Sequence, residues 1–185
     1  MTANNHLIDA RRSALLLVDL QAGLLPVIDG GEQVVETVIK LLGAAVELDV
    51  PCVMSEQYPA GLGHSAPAVI EAARSATVVS KMHFSCVADG CLSGTAIDVS
   101  EQVVVCGTES HVCVLQTVLD LVHEGKQVFV VADGVGSRTD ENKHLALARM
   151  RAAGAVIVSA EMVIFEWLKV AGTDAFRRVH RAYLR

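Results

Sequence analysis

The feature that most constrains this chain is an alternation of two periodicities. Short β-branched apolar runs, each closed by polar or glycine residues, take turns with longer stretches in which apolar residues recur every three to four positions. Residues 13–20 (SALLLVDL), 51–58 (PCVMSEQY), 76–81 (ATVVSK), 102–108 (QVVVCGT), 127–134 (QVFVVADG) and 155–159 (AVIVS) read as six strands. Residues 31–48 place Val34, Val35, Val38, Ile39, Leu42 and Ala45 on one helical face, and residues 111–124 do the same with Val112, Leu115, Val118, Leu119 and Val122. Stretches 66–74, 140–153, 161–170 and 174–184 read as further helices, with Thr139 or Asp140 as the cap of the second. Residues 59–65 (PAGLGHS) read as a loop. Strands apolar on both faces and separated by helices specify a three-layer α/β/α arrangement with a six-stranded parallel sheet. A chain that is 52% hydrophobic and 19% charged has enough apolar surface to cover both faces of that sheet. With 185 residues, no repeat and no linker, the expectation is a single domain over 1–185.

Charge and cysteine usage exclude several functions. The formal net charge is −6 and there is no basic block, which argues against nucleic acid as a partner, since phosphate neutralisation needs cations. No apolar run approaches the roughly 20 residues of a membrane span, so no membrane partner is expected. The first twelve residues, MTANNHLIDARR, lack the apolar centre of a signal peptide. Five cysteines at irregular spacing leave at least one thiol free and point to a reducing compartment; the expected location is cytoplasmic.

In a doubly wound sheet, ligands bind beyond the carboxyl ends of the strands. The first strand ends in Asp19-Leu20-Gln21, the third in Lys81, and the fourth in Gly107-Thr108-Glu109, with Cys113 near the start of the helix that follows. Singly, each has an ordinary structural reading: Asp19 as a turn or helix cap, Lys81 as a solvated loop residue, Cys113 as a small core residue. Together they set an acid, an amine and a thiol on one rim. A thiol has an unperturbed pKa of about 8.5, which a helix N-terminus or a cation lowers. A carboxylate can take its proton and an ammonium can hold both in register, which makes a hydrolytic triad.

These residues also carry a resemblance. Asp19-Leu20-Gln21, Lys81 before Phe84-Ser85, Gly107-Thr108-Glu109-Ser110-His111-Val112-Cys113-Val114, and Ala132-Asp133-Gly134 followed by Ser137-Arg138 resemble the isochorismatase-like cysteine hydrolases. The likeness runs over about residues 11–160. Ser55-Glu56-Gln57-Tyr58-Pro59 with Gly61-Leu62-Gly63 is similar to the isochorismatase-domain branch whose substrate is unknown. The resemblance implies the strand order 3-2-1-4-5-6, which makes strands one and four neighbours and brings Asp19 beside Cys113. It implies Cys113 as nucleophile, Asp19 as general base and then acid, and Lys81 as the residue that orients and tunes the pair. It also implies a cis peptide bond at Thr108–Glu109 that aims the backbone N–H of Glu109, with that of Cys113, into an oxyanion hole. It further implies a homo-oligomer, a dimer or larger.

Departures from the family narrow the chemistry. The nicotinamidase branch carries an Asp-x-His metal pair after strand two, where this chain has Ser55-Glu56-Gln57-Tyr58 and a lone His64. No histidine falls in a short ligand cluster, so neither a metal nor another cofactor is expected. The isochorismatases proper lack the nucleophilic cysteine, and this chain keeps Cys113. The expected partner is then a small-molecule substrate: an amide, carbamoyl, imide or ester, hydrolysed through a thioester. The alternative is a catalytically weak member of the family that acts as an oligomeric interaction protein. Gln21, Gln57, Tyr58, Phe84 and His111 are candidate pocket residues. Ser137-Arg138 is expected to tie its loop to a neighbouring carboxylate, and Gly134-Val135-Gly136 is not read as a nucleotide fingerprint because Thr139 stands where the third glycine belongs. A Cys106–Cys113 disulfide is open on spacing alone.

Overall fold

A computed structural model describes residues 7–184; the first six residues of the stretch read for a leader lie outside it. The six strands are β1 (Ser13–Val18), β2 (Cys52–Gln57), β3 (Thr77–Lys81), β4 (Gln102–Thr108), β5 (Gln127–Gly136) and β6 (Val156–Val158). All neighbouring strands pair in parallel, in the order β3-β2-β1-β4-β5-β6. The connections hold helices α1 (Gly31–Glu47), α2 (Pro59–Leu62), α3 (Pro67–Ala72), α4 (Cys86–Asp89), α5 (Ala96–Val99), α6 (Leu115–His123) and α7 (Asp140–Ala152), and α8 (Ala160–Leu168) and α9 (Asp174–Tyr183) follow β6. Of the two proposed caps for α7, Thr139 does the work: its hydroxyl accepts the N–H of Asn142.

Alternate residues of each central strand enter different cores. Leu15, Leu17, Met54, Val104, Cys106 and Phe129 pack with α1, α3, α8 and α9. Ala14, Leu16, Val18, Val53, Val103 and Val105 pack with α4 to α7 and with Cys113. Leu15, Leu16 and Leu17 are all fully buried, and each such burial contributes about 1.5–3 kcal/mol. This is why β1 is apolar without alternation. Cys106 and Cys113 fall in the two different cores and all five thiols are free, so the disulfide left open by spacing does not form.

The structure departs from the sequence reading at the edges. β3 is exposed at Thr77, Val78 and Ser80, because it pairs only with β2. The loop expected after β2 contains α2, and α4 and α5 occupy a stretch to which the sequence assigns no element. β5 runs two residues beyond Gly134: the pairing with β4 shifts between Val105 and Gly107, so that Gly107 faces Val135 and Thr108 faces Gly136. Gly134 to Gly136 is therefore strand. Gly107 has φ +124°, and a Cβ there would lie 2.0 Å from the Val18 carbonyl oxygen. Only glycine lets β4 run this close to β1 at the strand ends.

Candidate active site

The sheet order lines up four strand ends, from Lys81 on β3 through Ser55 and Gln57 on β2 and Asp19 after β1 to Thr108 on β4. Asp19 turns out of β1 with φ +50°, a left-handed conformation that aspartate adopts more readily than most residues. The turn is pinned on both sides. The Asp19 N–H donates to the Ser55 carbonyl at 3.1 Å, and the Thr108 hydroxyl donates to the Asp19 carbonyl at 2.7 Å. The carboxylate, fully buried, accepts the Ser55 hydroxyl at Oδ1 (2.7 Å) and the Lys81 ammonium at Oδ2 (2.8 Å). Burial raises the Asp19 pKa, and Lys81 and Ser55 work against that rise. A carboxylate moved upward in this way is a stronger base than an ordinary one.

Lys81 is equally enclosed. Its Nζ donates to Asp19 Oδ2, to Gln57 Oε1 and, at 3.4 Å, to the His83 carbonyl. An ammonium has three N–H bonds, and all three have acceptors here. Burial alone would lower its pKa, but the charge of Asp19 prevails and the pKa lies above the usual lysine value. Lys81 is thus a fixed positive charge whose donors are already committed.

Cys113 lies in a wide π-helical turn, Ser110–Val114, that leads into α6. The peptide bond Thr108–Glu109 at its entrance is cis. The thiol is 5% exposed and sits against Asp19, Lys81 and Gln57, with Gln57 Oε1 at 3.9 Å. The expectation that the helix start and the nearby cation would lower its pKa is overturned. Burial pushes the thiol up, the Asp19 charge adds to the rise, and Lys81 offsets it only in part. Enclosure thus favours the neutral thiol over the thiolate.

Of the candidate pocket residues, Gln21 is not one. It is fully buried and its amide is spent on main chain, donating to the carbonyls of Gln57 (2.9 Å) and Gly63 (2.6 Å) and accepting the Gln57 N–H (2.8 Å). It staples the loop after β1 to β2. Gln57 reaches Lys81 and Cys113, but its amide NH2 donates to the Met82 carbonyl at 2.9 Å, so it also is engaged within the protein. Tyr58 directly follows Gln57 and Phe84 lies three residues after Lys81; both rings are half exposed, with Tyr58 lying over Gly61. His111 is half-buried and its Nδ1 meets the Ser137 hydroxyl at 3.0 Å. Arg138 does reach a carboxylate: its guanidinium makes two bonds to buried Glu109, at 2.9 and 3.2 Å, and so braces the turn before Cys113. Sequence reasoning missed Ser55 and Thr108 as supports of Asp19. It also missed Ser110, whose buried hydroxyl has no hydrogen-bond partner. Glu56 clamps the following loop by accepting from the Ser65 N–H and hydroxyl and pairing with His64 at 2.9 Å. Among the described residues, no three His, Cys, Asp or Glu side chains converge as a metal site, and no helix is long and apolar enough to cross a membrane.

Comparison with known proteins agrees with this fold. Residues 13–162 match the isochorismatase domain family. The chain is 37% identical to isochorismatase domain-containing protein 2A of Mus musculus over 169 residues, covering 91% of this chain and 81% of the relative. It is 37% identical to the secreted isochorismatase effector Isc1 of Phytophthora sojae over 146 residues, 76% of this chain and 70% of that one. Among solved structures, the MAR1 ribonuclease from Caenorhabditis elegans superimposes with a TM-score of 0.89 at 34% identity, over 96% of this chain and 92% of that chain.

Proposed function

From the premise that this chain belongs to the isochorismatase family and has its hydrolase fold, we propose that it is a cysteine hydrolase of small amide, carbamoyl, imide or ester substrates. The observation that carries this reading is the buried contact of Asp19, Lys81 and Cys113 at adjoining strand ends.

Charge accounting supports the roles. With Lys81 protonated and Asp19 ionised, the pair is neutral. Removing the Cys113 proton to solvent would leave a net negative charge in a closed site, which burial penalises. Moving that proton to Asp19 leaves the total unchanged. Asp19 therefore takes the thiol proton as the sulfur attacks the carbonyl carbon. The backbone N–H groups of Glu109 and Cys113 receive the oxyanion. Collapse of the tetrahedral adduct breaks the bond to the leaving group, which takes the proton back from Asp19. The thioester is then cleaved by water, whose proton goes to Asp19 as the oxygen attacks and returns to the departing sulfur. Lys81, its donors occupied, keeps one positive charge beside the shared negative charge throughout.

The near-complete burial of the three side chains favours a small substrate. The Caenorhabditis elegans protein is named a ribonuclease, but phosphodiester chemistry wants free cations at the phosphate. Here Lys81 is committed and the net charge is −6, so carbonyl chemistry is the better fit. Five unpaired thiols fit a reducing, cytoplasmic location, and a homo-oligomer is the expected assembly. The test is a screen of small amides, ureides and esters with wild type and Cys113→Ala in parallel. Turnover that Cys113→Ala abolishes, with the circular dichroism melt unchanged, is the expected result. Equal turnover by both sinks the mechanism, and no turnover by either favours the weak, oligomeric interaction protein.

A further inference from the structure

Gln57, like Asp19, touches both the ammonium and the thiol, and it is the uncharged one of the two. Its Oε1 accepts from Lys81 Nζ and lies 3.9 Å from Cys113 Sγ, while its Nε2 donates to the Met82 carbonyl. The donor to a carbonyl and the acceptor from an ammonium leave only one orientation of the amide, with the oxygen toward the sulfur. The main chain at this position is held independently. The Gln57 N–H and carbonyl are both bonded by Gln21, Gln57 pairs with Lys81 in the sheet, and the Tyr58 N–H donates to the Lys81 carbonyl at 2.9 Å. The side chain can be changed without moving the strand.

We propose that Gln57 is a positioning residue that parks the Cys113 proton: its carbonyl oxygen accepts the resting S–H and holds Lys81 turned toward Asp19. The consequence is a thiol that stays inert until Asp19 takes its proton. An amide oxygen stabilises the neutral S–H and opposes the thiolate, because its dipole presents a negative end to the sulfur. It also occupies the Lys81 N–H that would otherwise turn to a thiolate. The charged groups acting on the thiol are Asp19 from the end of β1 and Lys81 from β3, and the Cys86 thiol on α4 acts on Lys81 in turn. Gln57 is the uncharged member between them on β2.

The role makes opposite predictions for two substitutions, and the first readout needs no substrate. Gln57→Met fills the same space without an acceptor. It removes the S–H partner and frees one Lys81 donor, so the Cys113 pKa falls. Gln57→Glu places a second carboxylate against Lys81 and the sulfur, so the Cys113 pKa rises. Alkylation by iodoacetamide, followed against pH with peptide mapping of Cys113, reports the thiolate fraction. The expected shifts are about one unit in each direction, or about tenfold in rate at a fixed pH below the pKa. Cys113 rates within twofold of wild type in both variants, or shifts of the same sign, overturn the proposal. A packing role alone would lower the melting temperature without separating the two variants in this assay. Where a substrate has been found, Gln57→Met is expected to lower kcat with KM little changed, because the Gln57 amide is spent within the protein; an equal rise in KM refutes the positioning role. This last readout rests on the proposed hydrolase activity. The alkylation profile does not, so the failure of one leaves the other standing.

Discussion

Ser55→Ala tests how Asp19 is held. The Ser55 hydroxyl donates to Asp19 Oδ1 at 2.7 Å, and both residues are fully buried, so water cannot replace the lost bond. A hydrogen bond to a charged group is worth about 1.5–3 kcal/mol net, and one to a neutral group about 0.5–1.5 kcal/mol. The substitution should therefore destabilise the fold by about 1.5–3 kcal/mol where Asp19 is ionised, and by about half that where it is protonated. The difference, on the order of 1 kcal/mol, corresponds to a further rise of the Asp19 pKa by about one unit. The sign follows from the direction of the shift. Burial already raises the folded carboxyl above its unfolded value, so its contribution to stability is full below the unfolded pKa and is lost as pH rises through the folded pKa. Ser55→Ala extends that loss, which begins near the ordinary carboxylate value and is complete above the new folded pKa. Urea denaturation of both proteins at about pH 4 and pH 7 measures the two limits. A loss under about 0.5 kcal/mol at pH 7, or an equal loss at both pH values with unchanged slopes, would refute the assignment of Ser55 to the ionised carboxylate.

Lys81→Met strands a buried carboxylate and should cost about 3–5 kcal/mol, whereas the double variant with Asp19→Asn should recover much of that; additive losses in a double-mutant cycle would deny the pair its coupling. The kcat/KM profile of an active substrate should lose its acid limb at a pH above the ordinary carboxylate range, as Asp19 takes up a proton, and should hold on the alkaline side past the usual lysine value; an acid limb at an unshifted carboxylate value counts against Asp19 as the base. Ser110→Ala deletes a buried hydroxyl without a partner and should leave stability unchanged or raise it by up to about 1 kcal/mol in thermal melts; a loss above that size would mean the hydroxyl is bonded in solution. Arg138→Ala removes a brace on Glu109 from a guanidinium that is 62% exposed, so its cost in stability should stay within about 1 kcal/mol, while turnover falls if the turn before Cys113 must be held; undiminished turnover would reduce the contact to a surface pair.

The fold was legible where local chemistry decides it. β1 reads as a strand because LLLV cannot alternate when both faces are covered, and α1 because its apolar residues fall at helical spacing. α4 and α5 were not legible, since four residues make barely one turn and show no periodicity. The end of β5 was misjudged because glycine at 134 and 136 looks like a break. In place, Gly136 is glycine because a Cβ would come within 2.6 Å of Ile28 Cγ2, a contact between distant parts of the chain. The exposure of β3 was hidden for a similar reason: being at an edge is a property of the sheet order, which no stretch of six residues carries.

The site divides along the same line, and the division bears on mechanism. Asp19, Lys81 and Cys113 could be picked out because each follows an apolar run, which is a one-dimensional signal. Their state could not. A cation nearby and a helix start nearby both say that Cys113 should ionise, and each is correct about its own contribution. What reverses the balance is enclosure. Lys81 is matched by Asp19 before its charge reaches the sulfur, and the small exposure of Cys113 lets desolvation dominate. Ser55 and Thr108 matter only through the register of β1, β2 and β4, so nothing in their immediate neighbourhood marks them as supports of Asp19. Gln21 shows the converse, since a polar residue after a strand end looks like a pocket residue until its bonds are found on main chain. Burial disfavours the Cys113 thiolate and makes the neighbouring Asp19 carboxylate a better acceptor for the thiol proton. On the proposed mechanism, the buried environment that disfavours a free thiolate is the same one that would make transfer to Asp19 the route by which Cys113 becomes a nucleophile.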